Sequence, residues 1–178
     1  MKQWLTLVII CLLAACQDGR YDKNDAVPKG DPPFTPLGDS WVIDKADVLS
    51  GDARREASNI CEQMRRTGLA EMVILIQTGI KHPMEYSTHY GRWLGLGKKG
   101  LSTEGGNNGI VWLIRPDADD RLTISVGRGL PELTAVDYNQ IMQKAKDYIN
   151  FNNFDQGVLE IARSTYEKLI EINKEKQK

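Results

Sequence analysis

The sequence predicts an α/β fold: a three-layer α/β/α sandwich with helices on both faces of a short mixed sheet of about four strands. Three observations predict it. Residues 109–127 read as two strands joined by a turn. In them Ile110, Val111, Trp112, Leu113 and Ile114 form a continuous apolar run, and Leu122, Ile124 and Val126 alternate with Arg121, Thr123 and Ser125. Pro116, Asp117, Ala118, Asp119 and Asp120 supply the turn chemistry between them. Residues 72–76 are a second apolar run of strand length. The passage from there to Ile114 contains a helical pattern and is long enough for a parallel crossover, and helices on both faces are the simplest cover for such runs.

The elements follow in order. Residues 41–49 open the folded part. Ser50 reads as an N-cap with Asp52 in the first turn, and Ala53, Ala57, Ile60, Cys61 and Met64 recur at helical spacing until Gly68 ends the helix. After the 72–76 strand, Pro83 suits a helix first turn, with Tyr86, Tyr90, Trp93 and Leu94 on one face. Six glycines mark the loop from Gly95 to Gly109. Beyond the hairpin, Thr134 caps a helix that turns Tyr138, Ile141, Met142, Ala145 and Ile149 inward. Asp155 caps the last helix, with Val158, Ile161, Ala162, Thr165, Leu169 and Ile172 inward. The expected order is helix, strand, helix, strand, strand, helix, helix, with no internal repeat and a polar tail over 174–178.

Composition bounds the function. The chain has 178 residues, 41% hydrophobic and 26% charged, with a formal net charge of −1, so no basic stripe argues for nucleic acid. About 130 downstream residues suffice for one core without staples. The N-terminus carries a specific signal. Lys2 precedes an apolar stretch from Leu5 to Leu13, too short to span a bilayer, and Leu13, Ala14, Ala15 and Cys16 follow. This matches a bacterial lipoprotein signal over residues 1–15, with cleavage before Cys16 and acylation of that cysteine. Two or more acyl chains give stable anchoring. Residues 16–40, with Gly19, Pro28, Gly30, Pro32, Pro33, Pro36 and Gly38, form a tether. The expected location is the cell envelope, lipid-anchored, with the domain at 41–173 facing the periplasm or the exterior. Cys61 then has no disulfide partner and reads as core.

The usual catalytic constellations are absent. No Walker loop, HExxH or CxxC occurs, His82 and His89 are seven apart, and Gly127-Arg128-Gly129 lacks the third glycine of a dinucleotide fingerprint. Five residues offer oxygen to a hard cation such as Ca²⁺ or Mg²⁺: Asp44, Asp47, Asn107, Asn108 and Asp137. Asp44 and Asp47 serve equally as turn and pre-helix charges, and Asn before Gly is also plain turn chemistry. Arg121 and Arg128 suit an anion or a partner carboxylate, with Asp119 or Asp120 as the structural alternative for Arg121. Trp93 and Trp112 read as core. Topology suggests that Asp44, Asn107, Asn108, Arg128 and Asp137 share one edge of the sheet.

Four blocks, in order, resemble the TPM domain family: Asp44-x-x-Asp47-Val48-Leu49-Ser50, the run from Trp93 to Gly100, the run from Asn107 to Leu113, and Arg121 through Leu130. The resemblance covers about residues 41–172. It implies an α/β/α sandwich and a membrane-associated accessory role with a membrane-protein partner. For some members it implies phosphatase activity or divalent-metal binding. Two positions depart from the family pattern. Asn107 stands where an acid is common, and the acid after the Gly-x-Gly loop falls nearest Ala135, with Glu132 and Asp137 close by. Both departures remove charge where a cation would want it. The expectation is therefore a membrane-anchored accessory lipoprotein, with a weak divalent-metal-dependent phosphatase as the alternative.

Overall fold

The structure, a computed structural model, describes residues 40–97 and 106–177. Cys16, the leader, the tether, and Gly100 and Gly105 of the glycine-rich loop lie outside the described residues. The elements are β1 (Val42–Asp44), α1 (Gly51–Arg66), β2 (Glu71–Ile76), α2 (Pro83–Leu94), β3 (Gly109–Ile114), β4 (Leu122–Val126), α3 (Ala135–Asn150) and α4 (Phe154–Lys176). The four strands form one mixed sheet in the order β1-β2-β3-β4, in which β1, β2 and β3 run parallel and β4 returns antiparallel to β3. This is the expected α/β sandwich.

Local chemistry accounts for most boundaries. Ser50 caps α1, its hydroxyl accepting from the Ala53 N–H, and Gly68 at φ +71° lets the chain leave the helix left-handed. Pro83 begins α2. Thr134 and Asp137 make a reciprocal capping box at α3. Two expectations are corrected. The chain opens on a strand, β1, ahead of the first helix. Asn153, not Asp155, caps α4: its side-chain oxygen accepts from Gln156, while the Asp155 carboxylate accepts from the Ser50 N–H 2.9 Å away.

Register sorts the two faces. Val42, Ile74, Trp112 and Ile124 stand side by side on one. α1 and α4 cover it, and the Trp112 indole N–H donates to Thr165 Oγ1 of α4 at 3.2 Å. Val73, Val111 and Ser125 share the other face, under α2. There Gly91 brings the helix close: a Cβ at Gly91 would lie 2.9 Å from a Val111 methyl. Both parallel crossovers step the same way across the sheet yet lay their helices on opposite faces. They are therefore of opposite hand, and one departs from the right-handed rule. The core joins both layers around β2 and β3. Residues 72–76 and Ile110, Trp112, Leu113 and Ile114 are fully buried, as are Cys61 and Ile149. Burial pushes the Cys61 thiol far up, out of the range of a nucleophile. Among the described residues no helix is long and apolar enough to cross a membrane.

Candidate functional site

Strand direction decides what can meet. Asp44 ends β1, in register with Ile76 and Ile114 at the carboxyl ends of β2 and β3. Asn107 and Asn108 precede β3 at the opposite edge, beside Glu71, which begins β2. Since β4 is antiparallel, Gly127 and Arg128 at its end also arrive at that second edge. The five residues expected to share one edge are thus divided: Asn107, Asn108 and Arg128 lie together, and Asp44 lies across the sheet from them.

At the first edge the polar groups serve the fold. The Asp44 carboxylate accepts from the N–H groups of Ala46, Val48 and Leu49 at 3.1, 2.9 and 2.9 Å, fixing the turn into α1. Asp47 is exposed in that turn at φ +53°. Arg121 closes the far end of α3, donating to Ile149 O and Asn152 Oδ1, both at 2.7 Å, with its guanidinium 5.9 Å from the Phe154 ring centre. With its Nε–H donating to Ala118 O at 3.3 Å, its partners are two backbone carbonyls and an amide, in place of the Asp119 or Asp120 carboxylate.

The second edge is built by close backbone approach. Asn107 takes φ +56°, its N–H donates to Gly97 O, and its carbonyl accepts from the Gly129 N–H at 2.8 Å. The Gly127 N–H donates to Gly109 O at 2.8 Å. The buried Glu71 carboxylate accepts from the Gly97 N–H at 2.6 Å. Asn108 is 4% exposed, and neither its side-chain nitrogen nor its oxygen has a hydrogen-bond partner among the described residues. It lines a small cavity of about 150 Å³ among Leu69, Leu130, Leu133 and Leu169, at whose edge Lys176 pairs with Glu132 at 2.9 Å. Asp137 lies past the 127–134 loop. Its carboxylate accepts from the Thr134 N–H and hydroxyl at 2.8 and 2.6 Å and stands 3.4 Å from Lys168 Nζ. The Thr134 hydroxyl bond, with Lys168 helping, holds that carboxyl below its usual range.

These residues do not fit a resident divalent ion. Asp44 and Asp137 are parted by the sheet and spent on backbone N–H groups, and Asp47 stands exposed in the turn beside Asp44. Among the described residues no three His, Cys, Asp or Glu side chains gather to hold a metal.

What the second edge does present is a groove of about 620 Å³, within the range of ligand sites. One wall is the outward stripe of α2, Met84, Thr88 and Arg92. The floor is Gly109 and Val111 of β3, and Tyr138 of α3 faces it. The other wall is the continuous run Ile124, Ser125, Val126, Gly127 and Arg128. Side chains along a strand alternate faces, so the three successive β4 residues Ile124, Ser125 and Val126 line one groove together where it follows the strand's open edge. Thr88 and Ser125 hydroxyls bond each other at 3.0 Å inside it. The described residues that line it include two arginines and no carboxylate or histidine, and neither Arg92 nor Arg128 has an ion-pair partner among the described residues. Of the residues lining this groove, Arg128 and Asn107 were sequence candidates, Asn107 as a cation ligand. Met84, Thr88 and Arg92 at i, i+4 and i+8 were legible as the polar face of α2, but only strand order makes that face a wall.

The fold and this groove define a single α/β sandwich domain with a glycine-sealed loop edge. The family model described as the TPM domain matches residues 42–168, and the chain belongs to that family. Among solved structures, the N-terminal domain of a protein from P. gingivalis aligns at 19% identity and a TM-score of 0.59, over 74% of this chain and 85% of that one. The N-terminal domain of a Corynebacterium glutamicum protein aligns at 12% identity and a TM-score of 0.57, over 80% and 86%. At such identities the likeness is one of fold. No curated protein matches significantly.

Proposed function

We propose that this chain is a non-catalytic accessory lipoprotein of the bacterial cell envelope, held to the membrane by lipid on Cys16 and engaging a membrane-protein partner through its TPM domain. The observation that carries the reading is the groove beside β4: open, half polar, with two guanidinium groups that have no ion-pair partner among the described residues, and with no acid, base or nucleophile assembled for chemistry among them. Rigid strands presenting a lined groove suit recognition. The alternative, a weak phosphatase dependent on Ca²⁺ or Mg²⁺, needs converging carboxylates, and Asp44 and Asp137 serve turns at separate places. The test is in cells, with a photocrosslinking residue at Met84 or at the exposed Phe151. The reading expects adducts with a membrane protein that disappear in Cys16→Ser, which also leaves the membrane fraction. Hydrolysis of a simple phosphomonoester stimulated by either ion, or unchanged membrane association in Cys16→Ser, overturns it.

A further inference from the structure

We propose that the open edge of β4 takes an extended acidic peptide segment of the partner as a fifth strand. This rests on the interaction reading above and gives it a chemistry.

Hydrogen-bond phase along β4 makes the first argument. Gly127 bonds Gly109, and the Arg115 N–H donates to Arg121 O, so both are hydrogen-bonded pairs of the antiparallel ladder. Such pairs alternate with non-bonded ones. By the register, Thr123 and Ser125 therefore turn their N–H and C=O toward β3, and Leu122, Ile124 and Val126 turn theirs away from the sheet. Ile124 and Val126 are among the residues lining the groove, and among the described residues no hydrogen bond from outside the ladder reaches their backbone groups. An unpaired strand edge is a template for another strand. Proteins that avoid such pairing place a lysine, a proline or a bulge there. Residues 122–126, Leu-Thr-Ile-Ser-Val, contain none of these.

Charge makes the second argument and selects the occupant. Arg128 lies two residues past the end of β4 and Arg92 ends the α2 stripe, so two cations line the groove at the end where β4 leaves the sheet. The described residues lining the groove include no anion to answer them. Guanidinium groups pair carboxylates in a bidentate fork. The added strand thus carries acidic side chains or its terminal carboxylate at the end beside Arg128. Met84, 52% exposed, and Tyr138 give its apolar side chains a surface.

The test titrates the full chain in detergent with three labelled heptapeptides of alternating Val and Thr, ending in Asp-Glu, Asn-Gln or Lys-Lys. A fourth is the Asp-Glu peptide with N-methyl groups on alternate residues. Amide hydrogen exchange is read at Ile124 and Val126. Strand addition expects the Asp-Glu peptide to bind about tenfold tighter than Asn-Gln and to slow exchange at both amides. It expects the Lys-Lys and N-methylated peptides not to bind. Arg128→Gln should erase the preference for Asp-Glu over Asn-Gln. Val126→Pro removes an outward N–H without breaking the β3 ladder, and should abolish binding by all peptides. Equal binding of the N-methylated peptide overturns the proposal, as does no binding at about 1 mM. So does protection of Ile124 and Val126 that depends on protein concentration alone, which would make the occupant a second copy. Should the peptides fail while crosslinks from Met84 or Phe151 persist in cells, strand addition falls and the accessory reading stands.

Discussion

Gly127 lies flat against the peptide of Asn107. A Cβ built at Gly127 would stand 2.8 Å from the Asn107 carbonyl carbon and closer still to its oxygen, and Gly129 would meet the same peptide at 2.9 Å. The glycines are required here by contact with backbone, which cannot turn aside as a flexible side chain can. Gly127→Ala should therefore cost about 3 kcal/mol, at the upper end of overpacking. Gly51→Ala, with nothing within 4 Å of its Cβ at the start of α1, should be neutral or slightly stabilising. Urea midpoints of the two variants check the contrast; equal midpoints would show that the loop yields.

Trp112 joins β3 to α4 through packing and one hydrogen bond. It is fully buried, and its indole N–H reaches Thr165 Oγ1. Trp112→Ala should lose about 3–5 kcal/mol by transfer and cavity formation. Thr165→Val keeps the volume and leaves the indole N–H without its acceptor, so it should lose about 1–3 kcal/mol. Chemical denaturation of both separates the packing contribution from the polar one.

Much of this fold was legible because local chemistry and tertiary placement agree. Ser50, Pro83 and Thr134 mark helix starts by groups that act within one turn. The apolar runs of β2 and β3 are buried along their length because both faces are covered. β1 escaped because three residues carry no period. Asn153 and Asp155 can each cap, and the choice falls to Ser50, a residue 105 positions away that takes the Asp155 carboxylate. The site was less legible, for a topological reason. Asp44 and Asn107 both flank strands, but whether they meet depends on strand direction, which a single sequence does not encode locally. The stripe Met84, Thr88, Arg92 reads as an ordinary solvated helix face until β4 is known to be the sheet's edge.

Acid should act in part through Glu62. Its carboxylate accepts from Arg65 at 2.8 and 2.7 Å, from Arg66 at 2.8 Å and from the Trp41 indole N–H at 3.0 Å, tying α1 to the start of the domain. The Arg65 bonds, with Arg66 and Trp41, pull its pKa from 4.5 to about 2. The folded value is depressed, so the unfolded chain takes up the proton first as pH falls. The stabilisation is whole above the ordinary carboxylate value and is lost on the way down to about 2. Glu62→Gln should be less stable than wild type at neutral pH, and the difference should shrink steadily between about pH 5 and pH 2. Melting temperatures across that window measure it; parallel curves would mean that the ion pairs contribute nothing.

Asn108 holds a buried amide with no partner among the described residues for either polar atom, beside a cavity lined in part by leucines. Desolvating such a group costs free energy that an apolar side chain of similar size would not incur. Asn108→Leu should accordingly raise stability by about 1 kcal/mol. Asn108→Asp has the opposite consequence, because an ionised carboxylate there would lose water with no donor to replace it. Burial disfavours the charged form, so the introduced acid would titrate above an ordinary aspartate. The sign then reverses from that of Glu62. The variant's folded state holds its proton more tightly than its unfolded state, and its stability is fullest below the ordinary aspartate range and falls as pH rises through the raised value. Urea midpoints for wild type, Asn108→Leu and Asn108→Asp at about pH 4 and pH 8 decide the matter. A large loss in Asn108→Leu, with a pH-independent Asn108→Asp, would mean that the Asn108 amide is hydrogen-bonded in solution and holds the loop before β3 in place.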